Sequence, residues 1–305
     1  MFAAAAFNSP QSMVIGALYL KLSYGSSVNS SPQFIDGPLY VENGRLTPKG
    51  GVRFVNTTDF DAYHIYADLQ PSVTAANVVV DSLDQHLTPP SISDEFQNAM
   101  LAAAKAENHY YIADSSGTFN IGGPSSPIPS SGGILTGSGT IYVDGTAVID
   151  SSVNSYHGNW TIYATNGIIA HGCLVPSDYA TDPSYPPEGS YDNYYSPVAS
   201  YNGVELPQAR PDYCITLITP GRINSTWTAK GNSSTPFAFC GAMYAGESII
   251  FQESLRGSII ASGSLTPDKQ TVIATQRDLR GSLSALSQQL FTRTMAKGSW
   301  VRTKN

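Results

Sequence analysis

Charge is scarce in this chain. Only 13% of its 305 residues are Asp, Glu, Lys or Arg, against roughly 25% in an average soluble domain. The 16 basic residues are scattered among 23 acidic ones, for a formal net charge of −7. Displacing counterions from a phosphate backbone takes clustered Lys and Arg, so nucleic acid is not an expected partner. Cysteine is scarce too: Cys173, Cys214 and Cys240 are an odd set without CxxC spacing, which excludes a zinc ribbon and a redox pair. Long apolar runs are missing. The opening stretch MFAAAAFNSPQSMVIGALYLKLSYG lacks a basic n-region and is interrupted at Asn8, Ser9 and Pro10, so it reads as neither a signal peptide nor a membrane span. Residues 1–33 are expected to follow a removed anchor.

Catalytic signatures are absent as well. His64, His86, His109, His157 and His171 show no HExxH pattern and no i, i+4 spacing, and neither a GxSxG elbow nor a phosphate-binding loop occurs. His171 and Cys173 in AHGC, joined by His157, are the one conceivable metal set, with hydrogen-bonded loop histidines as the competing reading. No cofactor is expected.

What the chain has is repetition. IYVDG (Ile141 to Gly145) is echoed by IYATNG (Ile162 to Gly167), then more loosely by TLITPG, AMYAG and SIIASG, and is anticipated by LYVENG (Leu39 to Gly44). Each copy reads as strand, turn, strand: TIYV then TAVI, TIYA then IIAH, ITLI then RINS, MYA then SIIF. Short β-branched and aromatic runs punctuated by glycine favour strands. One such pair cannot bury both faces, whereas a stack of them shares a column of Ile, Val and Leu. The expected fold is therefore mainly β: a right-handed β-helix, or β-solenoid, with one flanking helix. An antiparallel sandwich, whose hairpins also space glycines regularly, is the alternative.

One interval is out of line. Between Gly167 and Gly221 lies a Pro-, Tyr- and Asp-rich stretch, residues 176–211, and excising it returns the interval to about one repeat. It is expected to be an insertion loop on one face of the stack. Its Tyr179, Tyr185, Tyr191, Tyr194, Tyr195 and Tyr201 are candidate ligand contacts, because tyrosine presents an apolar face and a polar tip at low entropic cost. Rings that pin the loop to the flank are the competing reading.

Elsewhere, Ser93 to Tyr111 reads as a helix capped by Ser91 or Ser93, with Phe96, Met100, Ala103 and Ala104 on one face. Arg277 to Phe291 is a weaker helix that would cap the stack. The expected division is first turns plus helix over 34–135, the main stack over 136–266 and a C-terminal cap over 267–305. If repeats stack in sequence, Cys214 and Cys240 fall on neighbouring turns and are a possible disulfide; buried free thiols are the alternative.

The order GPLYVENG, PPSISDEFQNAMLAAAKAENHYY, GTIYVDGTAVI, WTIYATNGIIAHG, GAMYAGESIIFQESLRGSIIASGSL and SWVRTKN resembles the β-solenoid passenger region of certain bacterial minor pilins of type IV pili and related pilin-like envelope proteins. The resemblance runs from about Phe34 to the end. It implies a non-enzymatic structural or adhesive protein, extracellular or at the cell surface, whose partners are pilin or other filament subunits and possibly a surface polysaccharide. Two other classes compete. A carbohydrate-active β-helix, a lyase or hydrolase, would need converging carboxylates, with Asp144, Asp150, Glu247 and Glu253 as candidates and Arg256 nearby. A purely architectural filament subunit would pair its exposed end strands with the next copy.

Overall fold

The computed structural model describes residues 2–5, 13–15, 18–22, 33–35, 39–43, 53–55, 63–68, 78–84, 86–89, 91–128, 130–177, 200–201, 204–205, 214–226, 237–252, 254–267 and 272–275. Eight strands come first: β1 (Phe2–Ala5), β2 (Met13–Ile15), β3 (Leu18–Leu22), β4 (Gln33–Ile35), β5 (Leu39–Glu42), β6 (Arg53–Val55), β7 (Tyr63–Ala67) and β8 (Val78–Ser82). A strap follows that includes helix α1 (Asp94–Ala106). Next are β9 (Tyr110–Ile112), β10 (Thr118–Ile121), β11 (Ser130–Ser131), β12 (Ile134–Thr136), β13 (Gly139–Asp144), β14 (Thr146–Ile149), β15 (Ser155–His157), β16 (Asn159–Ala164) and β17 (Gly167–Ala170). A short hairpin, β18 (Ser200–Tyr201) and β19 (Val204–Glu205), precedes β20 (Cys214–Thr219), β21 (Arg222–Ser225) and β22 (Phe237–Ala245). The last are β23 (Ile249–Phe251), β24 (Ser254–Ala261), β25 (Leu265–Pro267) and β26 (Val272–Thr275).

The two strands of each glycine-centred pair do not form a hairpin. In β13/β14, β16/β17, β20/β21 and β22/β23 the first strand joins a 15-stranded sheet and the second a 6-stranded sheet, and each pairs in parallel with the strands before and after it. That arrangement replaces the antiparallel sandwich with tiers, each one strand deep. The insertion leaves the ladder intact, since β16 pairs directly with β20 (Thr161 with Thr216) and β17 with β21 (Ile168 with Ile223). Register refines the glycine reading. Gly167 lies opposite Thr146, and Asn166 takes the turn position of Gly145, donating its N–H to that carbonyl at 3.0 Å.

Parallel register puts like residues in columns. Facing inward, Ile141, Ile162, Leu217, Met243 and Ile259 stand in one line, all fully buried. Facing outward, the register runs Tyr110, Tyr142, Tyr163, Ile218, Tyr244, Ile260 and, beyond the backbone position of Phe2, Tyr19, Tyr40, Tyr66. Tyr142 and Tyr163 stack at 5.0 Å between ring centroids, as do Tyr40 and Tyr66. Both faces of β16 and β20 are buried, as in parallel sheets covered on each side.

Cover for the outer face comes from the strap. Main-sheet order is β8-β7-β5-β3-β1-β24-β22-β20-β16-β13-β9. Thus the first strand lies in mid-sheet, between β3 and β24, and the strap returns from the β8 edge to the β9 edge, a distance of about 48 Å at ten strand spacings. Strands β1, β2 and β3 all pair within this sheet, as does β26 beyond residue 267. Ser93 caps α1, its hydroxyl accepting the Phe96 N–H at 3.2 Å. Met100 and Ala104 are buried against Tyr142, Tyr163, Ile218 and Tyr244, with Phe96 packed beside them. The helix stops at Ala106, short of the expected Tyr111: Asn108 adopts a left-handed φ of 59°, which asparagine tolerates at a helix end, and Tyr110 then joins the sheet. The second expected helix, Arg277 to Phe291, lies outside the described residues.

Two substitutions test this packing. Gly158 has φ +105°, and a Cβ there would lie 1.8 Å from the Gly137 carbonyl oxygen; Gly158→Ala is expected to cost about 1–3 kcal/mol in denaturant unfolding. The Tyr163 hydroxyl is buried without a hydrogen-bond partner, and burial pushes its pKa well above that of an ordinary phenol. Since an unsatisfied buried hydroxyl carries a desolvation penalty, Tyr163→Phe is expected to leave the unfolding midpoint unchanged or raise it.

Candidate functional site

The polar cluster that fixes the strap lies at Glu42. This carboxylate ends β5 with its side chain only 6% exposed. It accepts from the Tyr19 hydroxyl at 2.5 Å and pairs with Lys21 Nζ at 2.8 Å, and His86 Nδ1 stands 3.4 Å away. The strap is tied into the same group: Leu87 N–H donates to the Tyr19 oxygen at 3.0 Å, and Lys21 Nζ donates to the Leu87 carbonyl at 3.2 Å. Leu83 and Leu87 then cover Tyr19, Tyr40 and Tyr66. Burial works to raise the Glu42 pKa, but the hydrogen bonds from Lys21 and Tyr19 and the charges of Lys21 and His86 outweigh it and hold the group below the ordinary carboxylate range. Burial, then the bond to Glu42, pushes Tyr19 far above the usual phenol. Tyr40 was visible in sequence as part of the LYVENG echo; the bonding of Tyr19 to Glu42 and Leu87 was not, because three strands, β6 to β8, separate Glu42 from Leu87.

The expected ligand contacts fall mostly outside the described residues. Tyr179, Tyr185, Tyr191, Tyr194 and Tyr195 do so entirely, and Tyr201 is described only as a backbone position in β18, opposite Val204. The roots of the insertion are well defined. The chain leaves at Ser177, whose N–H donates to the Tyr156 carbonyl at 2.8 Å. It returns at Cys214, whose N–H donates to Asn159 Oδ1 at 2.9 Å. The two roots of the insertion therefore lie at the corner between β15 and β16.

Other candidates do not converge. Cys173, Cys214 and Cys240 are not joined in a disulfide. Extending the pairing of Thr216 with Ala242 back two residues sets Cys214 beside Cys240. A bond between them would have to draw Cβ atoms from about the 4.8 Å strand spacing to about 3.8 Å. His171 Nδ1 contacts Thr226 Oγ1 at 2.6 Å and His157 Nδ1 contacts Ser177 Oγ at 3.3 Å; among the described residues no three His, Cys, Asp or Glu side chains form a metal-binding group. Asp144 and Glu247 sit on turns three strand spacings apart, about 14 Å, beyond the roughly 5–9.5 Å of a glycosidase pair. Glu247 is instead paired with Arg222 at 2.7 Å. Asp150 accepts the Ser152 N–H at 2.8 Å, and Glu253 and the Arg256 side chain are not described.

The far end of the stack, at β9 and β10, was not legible in the sequence because HYY, through Tyr111, was assigned to the helix. Here Tyr111 stacks on Phe119 at 4.3 Å, both partly exposed, closing the inner column. Beside them a cleft of about 300 Å³ is lined by Ile112, Phe119, Asp114, Asn120, the 122–127 loop and Asp150.

If the Glu42 cluster fastens the strap, the sign of its pH dependence follows. A carboxyl held below its unfolded value stabilises the fold above about pH 4.3, and that contribution is lost as pH falls through its lower, folded value. Glu42→Gln is expected to lower the unfolding midpoint at pH 7, with the gap to the parent narrowing below about pH 4 in thermal melts across pH.

No family model matches the chain, and no curated protein matches it. Among solved structures, it is similar to the crystal structure of the competence-associated pilin ComZ from Thermus thermophilus, with a TM-score of 0.58 at 11% identity, covering 93% of this chain and 71% of that one. At that identity the likeness is one of fold: the chain shares its architecture with a pilin.

Proposed function

We propose that this protein is a non-catalytic structural or adhesive component of a bacterial surface filament, a β-solenoid passenger of the minor pilin type. The observation that carries the reading is the likeness to a competence-associated pilin over 93% of the chain, joined to a stack of parallel tiers that offers a rigid body with a long insertion at one corner. On this reading the protein works outside the cell or at its surface, with other filament subunits as partners. The Tyr-rich insertion supplies the contact to a surface polysaccharide, and the tiers hold it at a fixed height. Duplex DNA remains the disfavoured ligand on charge. A carbohydrate-active enzyme is the weaker reading, since Asp144 and Glu247 stand too far apart to act on one bond.

The test is a binding assay with a panel of polysaccharides and double-stranded DNA, product release being followed in the same wells. Beside the parent runs a deletion of residues 178–209, which spares the anchoring bonds of Ser177 and Cys214. Binding of a polysaccharide without turnover, lost in the deletion, is the expected result. Turnover that survives the deletion would overthrow the reading and return attention to the carboxylates.

A further inference from the structure

Sheet edges are usually defended. Lys, Pro, bulges or a covering element keep the unpaired N–H and C=O groups of a last strand from recruiting another chain. The β9 edge has none of these among the described residues. His109 C=O accepts from Tyr142 N–H, and Ala113 N–H donates to Asp144 C=O. Because donor and acceptor of one residue point the same way in a parallel strand, alternating along it, Tyr110 and Ile112 turn theirs away from β13. Ile112 is 67% exposed, the most exposed large apolar side chain among the described residues. Helix α1 packs on the outer face, with Lys105 over the Tyr110 ring at 5.1 Å, and leaves the edge open. At β10 the outward groups are partly used: the Thr118 carbonyl accepts from Asp114 N–H at 2.9 Å, and its N–H donates to Asp114 Oδ1 at 3.3 Å.

The chemistry of the surroundings selects the occupant. The cleft next to Ile112 contains Asp114 and Asp150 and no Lys or Arg. Hydrogen bonds from Ser116 and Thr118 hold Asp114 below the ordinary carboxylate range, so it stays anionic. A second copy of this chain stacking head to tail would bring its β8 edge, with exposed Asp81 and Asp84, towards these acids. Like charges at close range disfavour that contact. An extended backbone of opposite charge satisfies both features.

We propose that the β9 edge receives an extended segment of a partner protein, which adds a strand beside Tyr110 and Ile112 and places a Lys or Arg side chain in the Asp114–Asp150 cleft. This is strand addition at an open edge, in which main-chain hydrogen bonds supply affinity and a neighbouring pocket supplies selectivity. Identifying the partner as another filament subunit rests on the function proposed above; the edge and its charge preference do not.

The experiment is residue-resolved amide exchange by NMR on the full chain. Its probes are an end-capped octapeptide of alternating Val and Lys, the same peptide with Glu for Lys, and a backbone N-methylated Val-Lys version. The expected result is fast exchange at Tyr110 and Ile112 in the free protein, slowed by the Val-Lys peptide alone. Ile112→Lys should weaken that peptide by about tenfold, as for loss of one apolar contact, with the unfolding midpoint unchanged. Asp114→Asn with Asp150→Asn should erase the preference for Lys over Glu. Four outcomes would overturn the proposal: no slowing at these two amides, equal response to the Lys and Glu peptides, protection already present in the free monomer, or protection that appears only as the protein self-associates. Polysaccharide binding that leaves both amides unperturbed by the Val-Lys peptide would sink this proposal while sparing the adhesive reading. Peptide binding in a protein that turns over polysaccharide would do the reverse.

Discussion

Everything in this molecule depends on strand register. In a parallel ladder each residue lies beside its counterpart in the next tier, and a slip of one position would move every inward side chain to the outer face. Columns of like residues follow from this constraint: Ile141, Ile162 and Leu217 inside, Tyr142, Tyr163 and Ile218 outside. The same constraint explains how a long insertion is carried. Ser177 and Cys214 are pinned to Tyr156 and Asn159, three residues apart across the β15–β16 corner, and β16 pairs directly with β20.

Outward aromatic columns create a second demand, since a sheet whose outer face carries Tyr142, Tyr163 and Tyr244 needs cover on that side too. The strap meets it with two different surfaces. Met100 and Ala104 are small or flexible enough to let α1 sit close to the rings, whereas Leu83 and Leu87 cover the β3–β5–β7 side as extended chain, locked by Tyr19, Lys21 and Glu42. Hydrophobic cover and polar fastening are thus divided between the two halves of one crossing.

Much of this was legible in the sequence, for identifiable reasons. The mainly β character showed because it is written in local patterns: TIYV, TIYA and ITLI each carry their own apolar alternation and turn. Capping at Ser93 and the buried Met100 and Ala104 were legible for the same local reason. What could not be read was order. Nothing in LYLKL or FAAA announces that β1 will lie against β24, because parallel pairing has no turn to record its partner. Tyr110 and Tyr111 were misassigned because three residues of strand after a helix leave too short a pattern to override the helical one. The candidate site divided similarly: the insertion was evident from its interruption of the period, while the open edge at β9 followed only from knowing which strand comes last.

The position of β1 has a consequence for how the chain comes to be folded. Its β24 partner lies more than 250 residues away in sequence, among the longest separations a chain of this length can contain. During synthesis the early tiers, β1 to β8, emerge with one flank bare until β24 has been made. Loop closure over that distance is slow, and mean sequence separation of contacts governs folding rate. Pairing of β1 with β24 thus adds to the non-local contacts that slow folding, and until it forms the bare flank is open to joining with the wrong neighbour.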